Sequence, residues 1–148
     1  MKIREADIKD LKELSLLFDA YRVFYKQNSN LEGAKDFMSE RLSLKDSKIF
    51  VAEEKDKLLG FVQLYPQFSS TQLKRAWLLN DLFVSPEARG QQLGVRLIER
   101  AKVLAVTTKS VGLMLETEKT NIIGNKLYPK TDFILDELHN FYYWNVKA

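Results

Sequence analysis

Leu82-Phe83-Val84-Ser85-Pro86-Glu87-Ala88-Arg89-Gly90-Gln91-Gln92-Leu93-Gly94-Val95-Arg96-Leu97-Ile98 is the stretch on which the reading of this chain turns. An apolar run that suits a buried strand gives way to a turn with Pro86 and Gly90, and then to an amphipathic helix. A helix start leaves several N–H groups unpaired and carries a partial positive charge, so it suits a pyrophosphate. Gly90 and Gly94 allow close approach of backbone and neighbouring elements, and Arg89 adds a formal charge. No Gly-Lys-Ser/Thr follows, so the turn is not a Walker loop. Read alone, it is either a phosphate cradle or a surface turn with a C-cap-like glycine.

Working outward, the strand is residues 76–84, the helix covers about 91–107, and a further strand covers 111–116. Strand, helix and strand in that order predict a right-handed parallel crossover. Upstream, residues 48–53 and 58–65 are strand-like and flank the polar turn 54–57, a hairpin pattern that Pro66 is expected to end. Residues 1–5 read as a short strand. Asp7 can cap a helix that carries Ile8, Leu11, Leu14, Leu17, Phe18 and Tyr21 at helical spacing and runs to about Lys26. After the polar loop 27–30, Ala34, Phe37, Met38, Arg41 and Leu42 mark a second amphipathic helix. Downstream, residues 121–128 form a short helix, and aromatic-rich strands are expected near 133–135 and 141–146. The fold class is α/β, of the α+β kind: a mixed sheet of about six to seven strands flanked by about four helices.

Composition narrows the functions. The chain has 148 residues, 45% hydrophobic and 29% charged, which fits a single domain spanning 1–148. No run nears the roughly 18 apolar residues of a membrane span, and the charged N-terminus is unlike a secretory signal. Cysteine is absent and histidine occurs once, at His139, so disulfides, thiolate metal sites and multi-histidine metal centres are excluded. A cytoplasmic address follows as the default. The net charge of +3 is too small and dispersed for nucleic acid, but it would help attract a phosphorylated cofactor.

The stretch 82–98 resembles the acyl-coenzyme A motif of the GNAT superfamily of N-acetyltransferases, Gln/Arg-x-x-Gly-x-Gly/Ala after a strand ending in Val. Arg89, Gly90, Leu93 and Gly94 fit; Gln92 stands where the pattern has its middle glycine. The resemblance implies that Arg89 and the backbone of Gly90, Gln91, Gln92, Leu93, Gly94 and Val95 wrap the pyrophosphate of acetyl-CoA. If Gln92 keeps ordinary helical angles, its side chain points away and its amide still serves. Leu79-Asn80-Asp81-Leu82-Phe83-Val84 resembles the family strand whose backbone, left open by a splay from the next strand, pairs with the pantetheine arm. An N–H near Leu82, Phe83 and Val84 then meets the acyl carbonyl. Relatives carry a glutamate base at the positions of Leu78 or Asn80, and neither is acidic here. Asp81 is the strand's carboxylate. Strict alternation puts it on the face opposite Asn80 and Leu82, which a bulge would change. It is either a proton acceptor or a buried carboxylate holding a loop, with water on Asn80 as another route for the proton.

A second block, Asn121-Ile122-Ile123-Gly124-Asn125-Lys126-Leu127-Tyr128 followed by Phe133, resembles the family pattern Asn-x-x-Ala-x-x-Leu-Tyr then Gly-Phe. Gly124 replaces the alanine and Asp132 the glycine. The resemblance implies that Tyr128 protonates the leaving thiolate and that Asn121 and Lys126 contact coenzyme A. The family builds its acceptor site from the first two helices and the third and fourth strands, so Tyr21, Arg22, Tyr25 and Tyr65, with Asp81, are candidates for holding an amine. Residues 60–66, Ser69-Ser70 and 79–82 look like bacterial and fungal members related to histone and polyamine acetyltransferases. The expected activity is therefore acetyl transfer from acetyl-CoA to a primary, cationic amine of a small molecule. A protein or peptide amine is the alternative acceptor, and a non-catalytic acyl-CoA sensor is the alternative of another class. Phe141-Tyr142-Tyr143-Trp144 puts aromatics on both faces of an expected terminal strand, which suggests a homodimer.

Overall fold

A computed structural model describes residues 1–147. They fall into two compact units, residues 1–116 and residues 117 onward. The first unit contains β1 (Lys2–Glu5), α1 (Leu11–Phe24), α2 (Leu31–Leu44), β2 (Lys48–Glu54), β3 (Lys57–Ser69), β4 (Lys74–Val84), α3 (Leu93–Thr107) and β5 (Leu113–Met114). The sheet runs β1-β2-β3-β4-β5. Its first three pairings are antiparallel, and β4–β5 is parallel, joined by α3.

Local chemistry accounts for most of these elements. Asp7 accepts from the N–H of Lys9 while Asp10 accepts from that of Asp7, so the predicted cap forms, but on a 3-10 turn, Ile8–Asp10, that leads into α1. Asn30 caps α2 by accepting from Gly33. Lys55 and Asp56 take left-handed φ of 50° and 62°, the two-residue turn that matches strand twist in a hairpin. Alternation along the strands then sorts the side chains. Ile49, Val51, Phe61 and Phe83 pack with Leu14, Leu17 and Phe18 of α1 and Ala34 and Met38 of α2. The opposite face carries Phe50 and Val62, paired across β2 and β3, and the Arg100 guanidinium of α3 lies 4.1 Å from the Phe50 ring centroid. The expected helices on both faces are present.

Four expectations need correction. Pro66 does not end its strand: β3 continues to Ser69, with Pro66 opposite Trp77. β2 reaches only as far as Leu64, so Pro66 sits where that side of β3 has no neighbour to receive an N–H. Residues 111–116 supply only the two-residue β5, paired with Trp77 and Leu78 of β4. The strands expected at 133–135 and 141–146 are absent, so the sheet has five strands rather than six or seven. Aromatic and β-branched residues favour strands only where a neighbour completes the ladder, and residues 134–147 form no ladder here. The terminal strand proposed as a dimer contact is therefore not a strand.

In the second unit, α4 spans Ile122–Lys130. Asn121 caps it by accepting from Gly124 at 3.1 Å, and its amide nitrogen donates to Thr117 at 2.9 Å. The Tyr128 and Phe133 rings meet edge to face, with centroids 5.8 Å apart. Among the described residues, no helix is long and apolar enough to cross a membrane.

Candidate active site

The open edge of β4 is the first feature of the site. β5 covers that edge only at Trp77 and Leu78, so on that side no strand among the described residues lies beside Leu79–Val84. Ser85 donates its N–H to Leu59 of β3 at 2.8 Å. Backbone groups of an antiparallel strand alternate sides, so Phe83 also bonds towards β3, while the N–H and C=O of Leu82 and Val84 face the open side. The splay expected from the sequence is present.

The phosphate turn follows directly. Gly90 has φ of +82°, and a built Cβ would meet nothing within 4 Å, so glycine is needed there for its backbone angle rather than for a close neighbour in this chain. Gln92 corrects the sequence reading. Its φ of 62° and ψ of 24° are left-handed, not helical, and it occupies the N-cap of α3. The residue has taken the backbone angles that a glycine would take freely. Leu93 anchors the helix start in the core, Gly94 and Val95 are half-buried, and Gln91 is exposed. The first turn of α3 holds no acidic residue. The Arg89 Nε donates to the Val84 carbonyl at 3.2 Å, and its guanidinium lies 5.8 Å from the Phe83 ring and 5.9 Å from the Phe24 ring. No carboxylate pairs with it among the described residues. An uncompensated cation, unpaired helix N–H groups and an open strand edge fit a long ligand with a pyrophosphate.

The second feature is a buried carboxylate. Gln63 of β3 pairs with Asp81 of β4, and the next pair is Leu64 with Leu79, so Asn80 is the extra residue of a bulge. Asp81 itself keeps the regular alternation, opposite Leu82 and in line with Phe83 on the face of the α1–α2 layer, and is 3% exposed. One carboxylate oxygen accepts from Gln63 Nε2 at 2.6 Å and the other from Asn80 Nδ2 at 3.1 Å. Ser47 in turn donates to Gln63 Oε1 at 2.9 Å. Burial pushes Asp81 above the usual carboxylate range, and the hydrogen bonds from Gln63, Tyr21 and Asn80 offset part of that rise. No lysine or arginine forms an ion pair with it among the described residues.

An aromatic cluster that includes Tyr21 lies beside this group. Tyr21 donates to the Asn80 carbonyl at 3.2 Å, stacks on Phe18 and meets Tyr25, Phe61 and Phe83 at steep angles. Tyr65 is half-buried two residues beyond Gln63; burial and the Asp81 charge both raise its pKa. Arg22 does not join this group. Its guanidinium binds the Asn28 carbonyl at 3.2 Å and lies 3.9 Å from Asp19, which ties α1 to the loop 27–30. In the second unit, Asn121 acts as the helix cap just described, Lys126 is exposed on α4, and Tyr128 is half-buried. Gly124 is crowded: a built Cβ would lie 2.5 Å from Asn121 Nδ2 and 3.3 Å from Tyr128 Cε2. Asp132, at the second family glycine position, has φ of 72°, again left-handed.

Sequence reasoning missed Gln63 and Ser47. The available signal was a glutamine on the same strand face as Phe61 and Tyr65, inside an otherwise apolar run.

A model of the acetyltransferase (GNAT) family matches residues 14–133, and the chain belongs to that family. An uncharacterized N-acetyltransferase of Bacillus subtilis (strain 168), YhfO, is 42% identical over 148 residues, which is 100% of this chain and 99% of the relative. A probable acetyltransferase of Haemophilus influenzae is 36% identical over 136 residues, 88% of this chain and 93% of the relative. The crystal structure of a probable acetyltransferase superposes with a TM-score of 0.93 at 39% identity, covering 100% of this chain and 99% of that one. The protein is an acetyltransferase, with acetyl-CoA as the donor that the family uses.

Proposed function

We propose that this enzyme, a single catalytic domain, acetylates a primary, cationic amine of a small molecule. The observation that carries this reading is Asp81: a buried carboxylate held by Gln63, Asn80 and Tyr21, with no ion-paired lysine or arginine among the described residues and an aromatic cluster that includes Tyr21 beside it. Such a group is completed by an ammonium, through charge and cation–π contacts with Tyr21, Tyr25 and Tyr65.

In the proposed mechanism, Arg89 and the N–H groups of residues 90–95 hold the pyrophosphate, and the open edge of Leu82 and Val84 holds the pantetheine arm. When bound, acetyl-CoA supplies the activated acyl carbon. Asp81 orients the ammonium and takes one proton from it onto a carboxylate oxygen, leaving a neutral nitrogen lone pair to attack. Its raised pKa brings the carboxylate closer to that of its partner and so favours the transfer. A free N–H of Leu82 or Val84 stabilises the negative charge that grows on the acyl oxygen. The family resemblance gives the Tyr128 phenol the role of protonating the sulfur as the carbon–sulfur bond breaks, and the second proton, shed by nitrogen as the amide forms, restores the phenol. The absence of cysteine supports a reducing, cytoplasmic setting.

The reading is tested with a panel of small amines and acetyl-CoA, following release of free coenzyme A. Turnover confined to cationic primary amines is expected. Turnover on peptide amines alone would replace small molecules with a protein acceptor. No turnover on either class, with acetyl-CoA bound, would leave a sensor module.

A further inference from the structure

Gln63 is fully buried, in the middle of a sheet face otherwise built from Ile49, Val51, Phe61 and Phe83. Burying an amide costs free energy unless both of its ends are bonded. Here both are. Because an ionised carboxylate only accepts, the end facing Asp81 must be Nε2, and Oε1 is left to receive the Ser47 hydroxyl. The chain of donors therefore has one direction: Ser47 Oγ–H to Gln63, Gln63 N–H to Asp81. At the other carboxylate oxygen, the bulge turns Asn80 so that its side chain donates to Asp81 while its carbonyl accepts from Tyr21. Gln63 and Asn80 thus donate to opposite oxygens of the carboxylate, which holds its plane.

We infer that Gln63, anchored by Ser47, is a positioning residue that sets the orientation and charge of Asp81 for the acceptor amine. The inference rests on the reading that Asp81 meets the amine, but the hydrogen-bond chain can be tested without any acceptor. The titratable groups facing Asp81 are Tyr21 on α1 and Tyr65 on β3, and the charges of Arg41 on α2 and of Asp46 act on Tyr65.

The experiment is a carbon-13 NMR titration of the aspartate side-chain carboxyls in the full chain, with the Asp81 signal assigned by its loss in Asp81→Asn. Gln63→Met keeps length and removes the donor, so the Asp81 midpoint is expected to move to higher pH. Ser47→Ala leaves the amide in place but frees its far end, and a smaller upward shift is expected. Ser47 is half-buried one residue before β2, so its variant provides the test even if Gln63→Met does not fold. Folded variants whose Asp81 signal titrates as in the wild type would overturn the inference. That outcome is separate from a failure of the amine panel, which would bear on the acceptor and not on the Ser47–Gln63–Asp81 chain.

Discussion

Gln92 and Asp132 both stand where the family pattern has glycine, and both have positive φ, 62° and 72°. The backbone has kept the glycine geometry while the side chains have changed. An L-residue in the left-handed region costs about 1–2 kcal/mol, with Asp tolerated better than Gln because its short side chain bonds locally. Gln92→Gly should therefore stabilise the protein by about 0.5–1 kcal/mol after the larger unfolded-state entropy of glycine is counted. Urea denaturation will show this as a higher midpoint at unchanged slope, whereas a lower midpoint would mean that the Gln92 side chain makes a compensating contact. Asp81 makes a second prediction at this scale. Its folded pKa lies above its unfolded value, so the wild type loses stability as pH rises from the ordinary carboxylate range through the folded pKa. Asp81→Asn lacks this loss. Its advantage over the wild type should be smallest at acid pH, grow through that window and then level off. Denaturation midpoints measured at several pH values check the trend, and a difference independent of pH would contradict it.

At the scale of elements, the β3–β4 pair sets the site. Gly60 pairs with Val84, and a built Cβ there would come 2.7 Å from the Phe83 carbonyl oxygen and 3.4 Å from the Val84 Cα. Backbone cannot move aside as a side-chain tip can. Gly60→Ala is expected to cost about 1–3 kcal/mol, as overpacking does, and to lower affinity for acetyl-CoA by shifting the open edge at Val84. Calorimetry and thermal melting together test both effects; a variant as stable and as tight-binding as the wild type would refute them. Much of this region was legible beforehand. The alternation in 48–65 and the Asp-containing turn placed the hairpin, and the strand–turn–helix run placed α3 to within two residues. What stayed hidden depended on partners distant in sequence. The Asn80 bulge follows from how β4 registers on β3, which no local pattern in residues 79–84 encodes. Pro66 looked like a strand end because β2 had not yet been seen to stop at Leu64. The aromatic run 141–144 looked like a strand because its propensity is high, yet propensity does not supply a neighbour.

For the whole molecule, the exposed apolar residues after α4 make a further prediction. Leu138, Phe141, Tyr142, Tyr143, Trp144 and Val146 are all exposed, and β5 ends the sheet with one free edge. Among the described residues no strand lies outside β5, and an open edge and exposed strand-forming residues in the same chain can complement each other between two copies. We propose a homodimer, for which sedimentation should give twice the monomer mass at micromolar concentration; a monomer under those conditions would dismiss it. The acceptor chemistry remains the central claim, and it rests on one carboxylate. The most direct test is kcat/KM of Asp81→Asn against the wild type, using the amine selected by the panel. A fall of roughly 10²–10⁴-fold with an unchanged KM for acetyl-CoA is expected for a lost proton acceptor. A folded variant that acetylates the same amine at the wild-type kcat/KM would contradict the account.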